Sequence, residues 1–161
     1  MRTRWLAGLG MAAAILAVAH AAAAPIGEGI TRKEMAEILL AKGLGAKIEN
    51  DNLGNAIVST AADGVDFDVY FFGCDKKTAR CDAIQFAAGW TMIKPPKAAM
   101  LNAWNRDKRY VRAYLTKDNK ALYGEMDLTV APGGSTEQIG DYLRLWRLLL
   151  PELKKRFNLG K

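Results

Sequence analysis

The sequence predicts an α+β domain, one antiparallel β-sheet packed with three helices in the order α-β-β-β-β-α-β-β-α. Three observations carry that reading. The first is the stretch from Val65 to Trp90, a hairpin with Cys74 set opposite Cys81. That register puts Phe71 against Ile84, Val69 against Phe86, Phe67 against Ala88 and Val65 against Trp90. All fall on one face because side chains alternate with period two. The opposite face receives Phe72 with Ala83, Tyr70 with Gln85 and Asp68 with Ala87. A slip of one residue would turn the Phe/Val/Ile set to water, so the register is strongly specified. The second observation is another hairpin around Lys117–Lys120, with Val111, Ala113 and Leu115 facing Met126, Gly124 and Leu122. Its other face pairs Arg112 with Glu125 and Tyr114 with Tyr123. The third is a pair of capping boxes, Thr31-Arg-Lys-Glu34 and Ser135-Thr-Glu-Gln138, each ahead of an apolar repeat at helical spacing.

Taken in order, Thr31 opens a helix carrying Met35, Ile38 and Leu39 on one stripe, with Lys42 suited to its C-terminal dipole and Gly43 as its stop. Ala46–Glu49 and Ala56–Thr60 are short strands around Asn50–Asn55, a plain turn because the spacing and closing glutamate of an EF-hand are missing. Ala62-Asp63-Gly64 turns into the central hairpin. Pro95 and Pro96 suit the first turn of a second helix, which buries Met100, Leu101 and Trp104 and runs to about Asp107. The final helix buries Ile139, Leu143, Trp146, Leu149 or Leu150, and Leu153, with a kink or restart expected at Pro151.

The first 23 residues are expected to be a cleaved secretory signal peptide. Arg2 and Arg4 form a basic start, Leu6–Val18 is apolar and small-residue cleavage sites follow. As a membrane anchor the stretch reaches the required length of roughly 20 residues only by counting Gly8, Gly10 and His20. Residues 24–29 then form a linker and residues 30–161 one α+β domain in the periplasm or outside the cell, with no stable membrane insertion after cleavage. Cleavage removes His20, the single histidine, and with it histidine-based catalysis and metal binding. It also reduces the formal charge of +6 by the two of Arg2 and Arg4. The remaining basic residues form no single run, so a nucleic-acid partner is not expected. In an exported chain Cys74 and Cys81 form a disulfide, which their register supports independently. Closing a loop of about eight residues contributes roughly 2.5 kcal/mol in the chain-entropy account.

No catalytic constellation, metal site or cofactor is expected. Asn102, Trp104, Asn105 and Arg106 form the most concentrated polar motif, read structurally: Trp104 in the core, Asn105 capping the helix end and Arg106 paired with a carboxylate such as Asp127. Asp66 and Asp68, two apart on the non-core face, are read as solubilising charges that protect an edge, against a role as glycosidase-type paired carboxylates. Ser135 is a cap, and neither a Ser-x-x-Lys nor a phosphate-binding glycine loop is present. Tyr70, Phe72, Tyr114 and Tyr123 crowd the face of the sheet left over from the core. That face is too apolar for ordinary exposure, which points to a partner or homodimer surface unless the last helix folds over it.

Val69-Tyr-Phe-Phe-Gly-Cys74, Ile84-Gln-Phe-Ala-Ala-Gly89, Leu101-Asn-Ala-Trp-Asn-Arg106, Arg112-Ala-Tyr-Leu115, Glu125-Met-Asp-Leu128 and Leu143-Arg-Leu-Trp146 together resemble the YbjN family, labelled in general terms as bacterial sensory transduction regulators, over about Ile30 to Phe157. The resemblance implies a fold similar to class I type III secretion chaperones, which are small non-enzymatic protein binders, often dimeric. The export signal departs from the better-known, cytoplasmic members. The function expected is an exported, non-enzymatic protein-binding domain, a regulatory or chaperone-like partner of another envelope protein. The alternatives are a small carboxylate-dependent hydrolase and a structural accessory domain without a specific ligand.

Overall fold

Six strands, each antiparallel to its neighbours, form the sheet around which the chain is built. In a computed structural model describing residues 24–160, they are β2 (Lys47–Asn50), β3 (Ala56–Ala62), β4 (Val65–Cys74), β5 (Cys81–Thr91), β6 (Arg112–Leu115) and β7 (Ala121–Thr129). Their order across the sheet is β2-β3-β4-β5-β7-β6. The helices are α1 (Arg32–Ala41), α2 (Ala98–Asp107) and α3 (Thr136–Phe157). This is the expected α+β order, with two additions. Two-residue strands β1 (Pro25–Ile26) and β8 (Gly134–Ser135) pair with each other, so the segment read as a linker is tied to the start of α3. The expected signal peptide, residues 1–23, lies outside the described residues.

Both hairpins adopt the predicted registers over their paired rungs, from Asp68 opposite Ala87 to Cys74 opposite Cys81, and from Arg112 opposite Glu125 to Leu115 opposite Leu122. The predicted pairs Phe67–Ala88, Val65–Trp90 and Val111–Met126 fall beyond those ladders. Cys74 and Cys81 are bridged. At the start of β5 the main chain of Cys81 exchanges hydrogen bonds with Ile30 at 2.9 and 3.0 Å, which lays the entry to α1 along the sheet. Thr31 and Glu34 make both halves of the first capping box. In the second box, the Ser135 hydroxyl accepts from the Gln138 amide at 3.1 Å, but the Gln138 carbonyl oxygen is buried without a partner. That cap is one-sided.

All three helices lie on the face that carries the Val/Phe/Ile set. Met35 and Leu39 of α1, Trp104 of α2, and Ile139, Leu143, Trp146, Leu150 and Leu153 of α3 join Val58, Phe67, Val69, Ile84, Phe86 and Met126 in one core. Phe67, Phe86 and Trp146 form its aromatic centre, with ring centroids 5.7 to 6.0 Å apart. Leu153 sits directly on Gly124, where an added Cβ would come within 2.4 Å of the leucine methyl. The last helix therefore packs on the core side and leaves the other face open.

Two expectations about helix boundaries are corrected. The prolines 95 and 96 precede α2, which starts at Ala98 with Lys97 as its cap. Pro151 does not restart α3, which is a single helix of 22 residues. Proline forfeits one main-chain bond there, but Leu150 and Leu153 on either side are buried, and their packing carries the helix through.

Candidate binding surface

On the open face each rung of the sheet can be read from the registers. One rung runs Lys47, Ser59, Asp68, Ala87, Glu125, Arg112 across all six strands. Beside it stand Tyr70, Gln85 and Asp127 on one side, and Gly89, Tyr123 and Tyr114 on the other. Phe72 and Ala83 follow beyond Tyr70. The four residues predicted to share this face, Tyr70, Phe72, Tyr114 and Tyr123, do share it. None of the three described helices covers them.

The centre of the face is polar and buried. Glu125, 7% exposed, accepts from Arg112 Nε and Nη2 at 2.9 and 2.6 Å, from the Tyr114 hydroxyl at 2.5 Å and from Gln85 Nε2 at 3.4 Å. Gln85, 8% exposed, also donates to Asp127 at 2.7 Å. The rings of Tyr114 and Tyr123 stack, centroids 5.8 Å apart, and the Arg112 guanidinium lies 5.9 Å from the Tyr114 ring. Tyr123 in turn fills the space over Gly89, where a Cβ would come within 2.8 Å of its ring. The aromatic side chains thus form a partial layer of their own over Gln85, Ala87 and Glu125.

Burial shifts these phenols. Tyr114 ionises well above the ordinary tyrosine value, first because it is partly buried and then because its hydroxyl donates to Glu125, whose charge adds to the effect. Tyr70 is also raised, by burial and then by the nearby carboxylates of Asp68 and Asp51. Between Tyr70 and Tyr123 lies a hollow of about 620 Å³, with Ala87 and Gly89 among its lining residues and Glu49, Asp66 and Asp68 at its acidic side.

Three expectations about polar residues need correction. Arg106 does not meet Asp127. It pairs with its neighbour Asp107 at 2.8 Å, while Asp127 stands on the open face with Gln85, and Arg112 lies 3.8 Å away. The two are separated because α2 packs at the β6 end of the sheet. Asn105 does not cap its helix. Its side chain accepts from the Ala113 amide at 2.8 Å and donates to the Ala113 carbonyl at 3.0 Å, as a neighbouring strand would. Asp66 and Asp68 protect no edge, because β4 is an interior strand, and Asp68 accepts from the Ser59 hydroxyl at 2.6 Å.

The remaining motif residues are structural or exposed. Trp104 is buried and its Nε1 donates to the Val111 carbonyl at 2.9 Å; Asn102 is exposed. The motif is therefore a seam between α2 and the β6 edge. Sequence reasoning recognised the Arg112–Glu125 pair but missed the burial of Glu125 and of Gln85 beside it. The available signal was the place of Glu125 between two tyrosine-bearing rungs, with Gln85 in one of them. Among the described residues no cluster of three or more His, Cys, Asp or Glu is arranged to hold a metal ion. Among the same residues no helix is long and apolar enough to cross a membrane.

Comparison with known proteins places this architecture. The YbjN family model, described as "Putative bacterial sensory transduction regulator", matches residues 31–157. The chain belongs to that family. A crystal structure of YbjN from E. coli, "a putative transcription regulator", superposes with a TM-score of 0.51 at 23% identity, covering 70% of this chain and 80% of that one. That likeness shows a shared fold. No curated protein matches the chain.

Proposed function

We propose that this chain is an exported, regulatory protein-binding domain that works without catalysis and receives its partner on the open face of the sheet. The observation that supports this reading most is the composition of a face none of the described helices covers: Tyr70, Phe72, Tyr114 and Tyr123 around a buried carboxylate, with Phe72 49% and Tyr114 39% exposed. Tyrosine and arginine on a rigid sheet supply contact area at small entropic cost, which is what binding surfaces favour. Glu49, Asp66, Asp68, Glu125 and Asp127 outnumber Lys47 and Arg112 there, so the face repels a phosphate backbone and suits a protein carrying basic side chains. The oxygens of Glu125 are occupied by Arg112, Tyr114 and Gln85, a positioning network for the aromatic layer. Export is supported by the composition of residues 1–23 and by the Cys74–Cys81 bridge.

The experiment is affinity recovery from the native cell envelope with the wild-type protein and with Tyr70→Lys and Tyr114→Lys, each checked for folding by circular dichroism. A partner held by the wild type and lost by the folded variants is the expected result. Equal recovery by all three overturns the assignment of the open face. Thiol labelling of the unreduced, unfolded protein should find neither cysteine free, and two labelled thiols per chain would overturn export.

A further inference from the structure

The two edges of the sheet are finished differently, and the difference points to a self-association surface. At the β6 edge the outward main-chain groups of Ala113 are satisfied by Asn105, and Val111 by Trp104. At the other edge, β2, no described residue outside β3 bonds the main chain from Lys47 to Asn50. Main-chain groups in an antiparallel ladder alternate in direction. The Asp51 amide donates to the Asn55 carbonyl at 2.8 Å, extending the β2–β3 ladder. In that alternation Lys47 and Glu49 bond β3, while the amides and carbonyls of Ile48 and Asn50 point outward. Ile48 is also 51% exposed.

We infer that β2 pairs with β2 of a second copy about a two-fold axis through Ile48, joining two sheets into one. The reason is charge. Only registers that keep both open faces on one side and bring outward groups together are allowed, so neighbouring options differ by steps of two residues. Centring on Ile48 sets Lys47 opposite Glu49 of the second copy, and Glu49 opposite its Lys47. Both pairs take the closer, non-hydrogen-bonded spacing, on the open face. A shift one way sets Lys47 against Lys47; a shift the other way sets Glu49 against Glu49. Charged residues on a short strand ordinarily deter edge pairing. Here they reject the wrong registers and match the two-fold one. Ile48 exchanges both main-chain bonds with its own copy, and its side chain lies on the helix side, where α1 leaves Leu40 58% exposed. The inference is independent of what binds the open face, and a dimer of this kind carries two such faces side by side.

Sedimentation velocity on the purified protein tests it. The wild type should be a dimer. Lys47→Glu and Glu49→Lys should each raise the dimer dissociation constant on the order of tenfold or more, since two attractive pairs become repulsive. Mixing Lys47→Glu chains with Glu49→Lys chains, or combining both changes in one chain, should restore association. Ile48→Pro removes an outward amide that β3 does not use, and should dissociate the dimer with little change in the unfolding midpoint. Tyr114→Lys should leave the dimer intact. A monomeric wild type overturns the inference, as does a dimer indifferent to both charge reversals. A dimer split by Tyr114→Lys but not by charge reversal assigns self-association to the open face instead.

Discussion

The two faces of the sheet bury their residues by different means. On the covered face, three helices deliver leucine, methionine and tryptophan onto valine and phenylalanine, and Phe67, Val69, Ile84 and Phe86 are at most 3% exposed. On the open face no described helix delivers a side chain, yet Gln85, Ala87 and Glu125 are no more than 8% exposed. Tyrosine and arginine from the sheet itself lie across them. The covered face is held by shape and area, in proportion to apolar surface removed from water. The open face is held by a few directional hydrogen bonds, which keep the aromatic groups in place while leaving their edges available. A face built this way can hold its form without a second layer, and so can meet a partner.

The comparison breaks most visibly at Trp146. Trp146→Ala empties the space between Phe67 and Phe86, and should cost about 3–5 kcal/mol of unfolding free energy, the range for deleting a large core aromatic. Denaturant titration measures it. A loss below about 1 kcal/mol would mean the covered face is not the stabilising one.

Glu125→Ala is the matching test of the open face. It strips partners from Arg112, Tyr114 and Gln85, but the first two reach water, so the loss should be about 1–2 kcal/mol. Near-ultraviolet circular dichroism should change more than stability does, because the stacked Tyr114–Tyr123 pair loses its anchor. A stability loss equal to that of Trp146→Ala would make the two faces equivalent and remove the distinction between them.

How much of this was legible in the sequence follows from the range of the forces involved. The hairpin registers were readable because alternation and the cysteine pair over-determine them: one slip would have exposed Phe67, Val69 and Phe71 together. The stripe of α3 was readable for the same reason, since Ile139, Leu143, Trp146, Leu150 and Leu153 recur at helical spacing. The places of Asn105, Arg106 and Asp127 were not. Asn105 and Arg106 depend on where α2 meets the sheet, set by the Pro95–Pro96 segment and by Trp104 finding the Val111 carbonyl, contacts with no local signature. Asp127 follows instead from the pairing of β7 with β5, which sets it opposite Gln85. The side chosen by α3 was likewise left open. It turns on Gly124, whose missing side chain admits Leu153, and a glycine in a strand does not announce which helix approaches it.

Gly89 offers a smaller change that alters shape rather than stability. Gly89→Ala places a methyl where the Tyr123 ring lies, and the ring, at the end of a flexible side chain, can swing aside. Unfolding free energy should move by no more than about 1 kcal/mol, with the gain in strand preference offsetting part of the displacement. Recovery of the proposed partner should fall nevertheless. Unchanged recovery, with the tyrosine signal visibly altered, would separate Tyr123 from the binding surface.

The smallest effect is in the alkaline titration of the phenols, and it bears on the open face alone. Of the five tyrosines, Tyr70 and Tyr114 have folded values raised above the ordinary one, each by burial first, with Tyr114 further raised by its bond to Glu125 and Tyr70 by Asp68. A raised folded value means the native state holds its proton more tightly than the unfolded chain. The stability this contributes is fully present below the unfolded tyrosine value of about 10 and is lost as pH rises beyond it toward the folded values. Stability should therefore show no tyrosine-linked change near neutrality and should decline on the alkaline side. Ultraviolet difference titration should resolve a late group of two phenols, and Tyr114→Phe should remove one of them. Glu125→Ala should bring the Tyr114 step earlier without moving that of Tyr70 as far, because Glu125 is the direct acceptor of only the first. Tyr70 and Tyr114 titrating at the ordinary value would mean that the tyrosine layer is freely solvated, and that Gln85 and Glu125 are not sheltered beneath it.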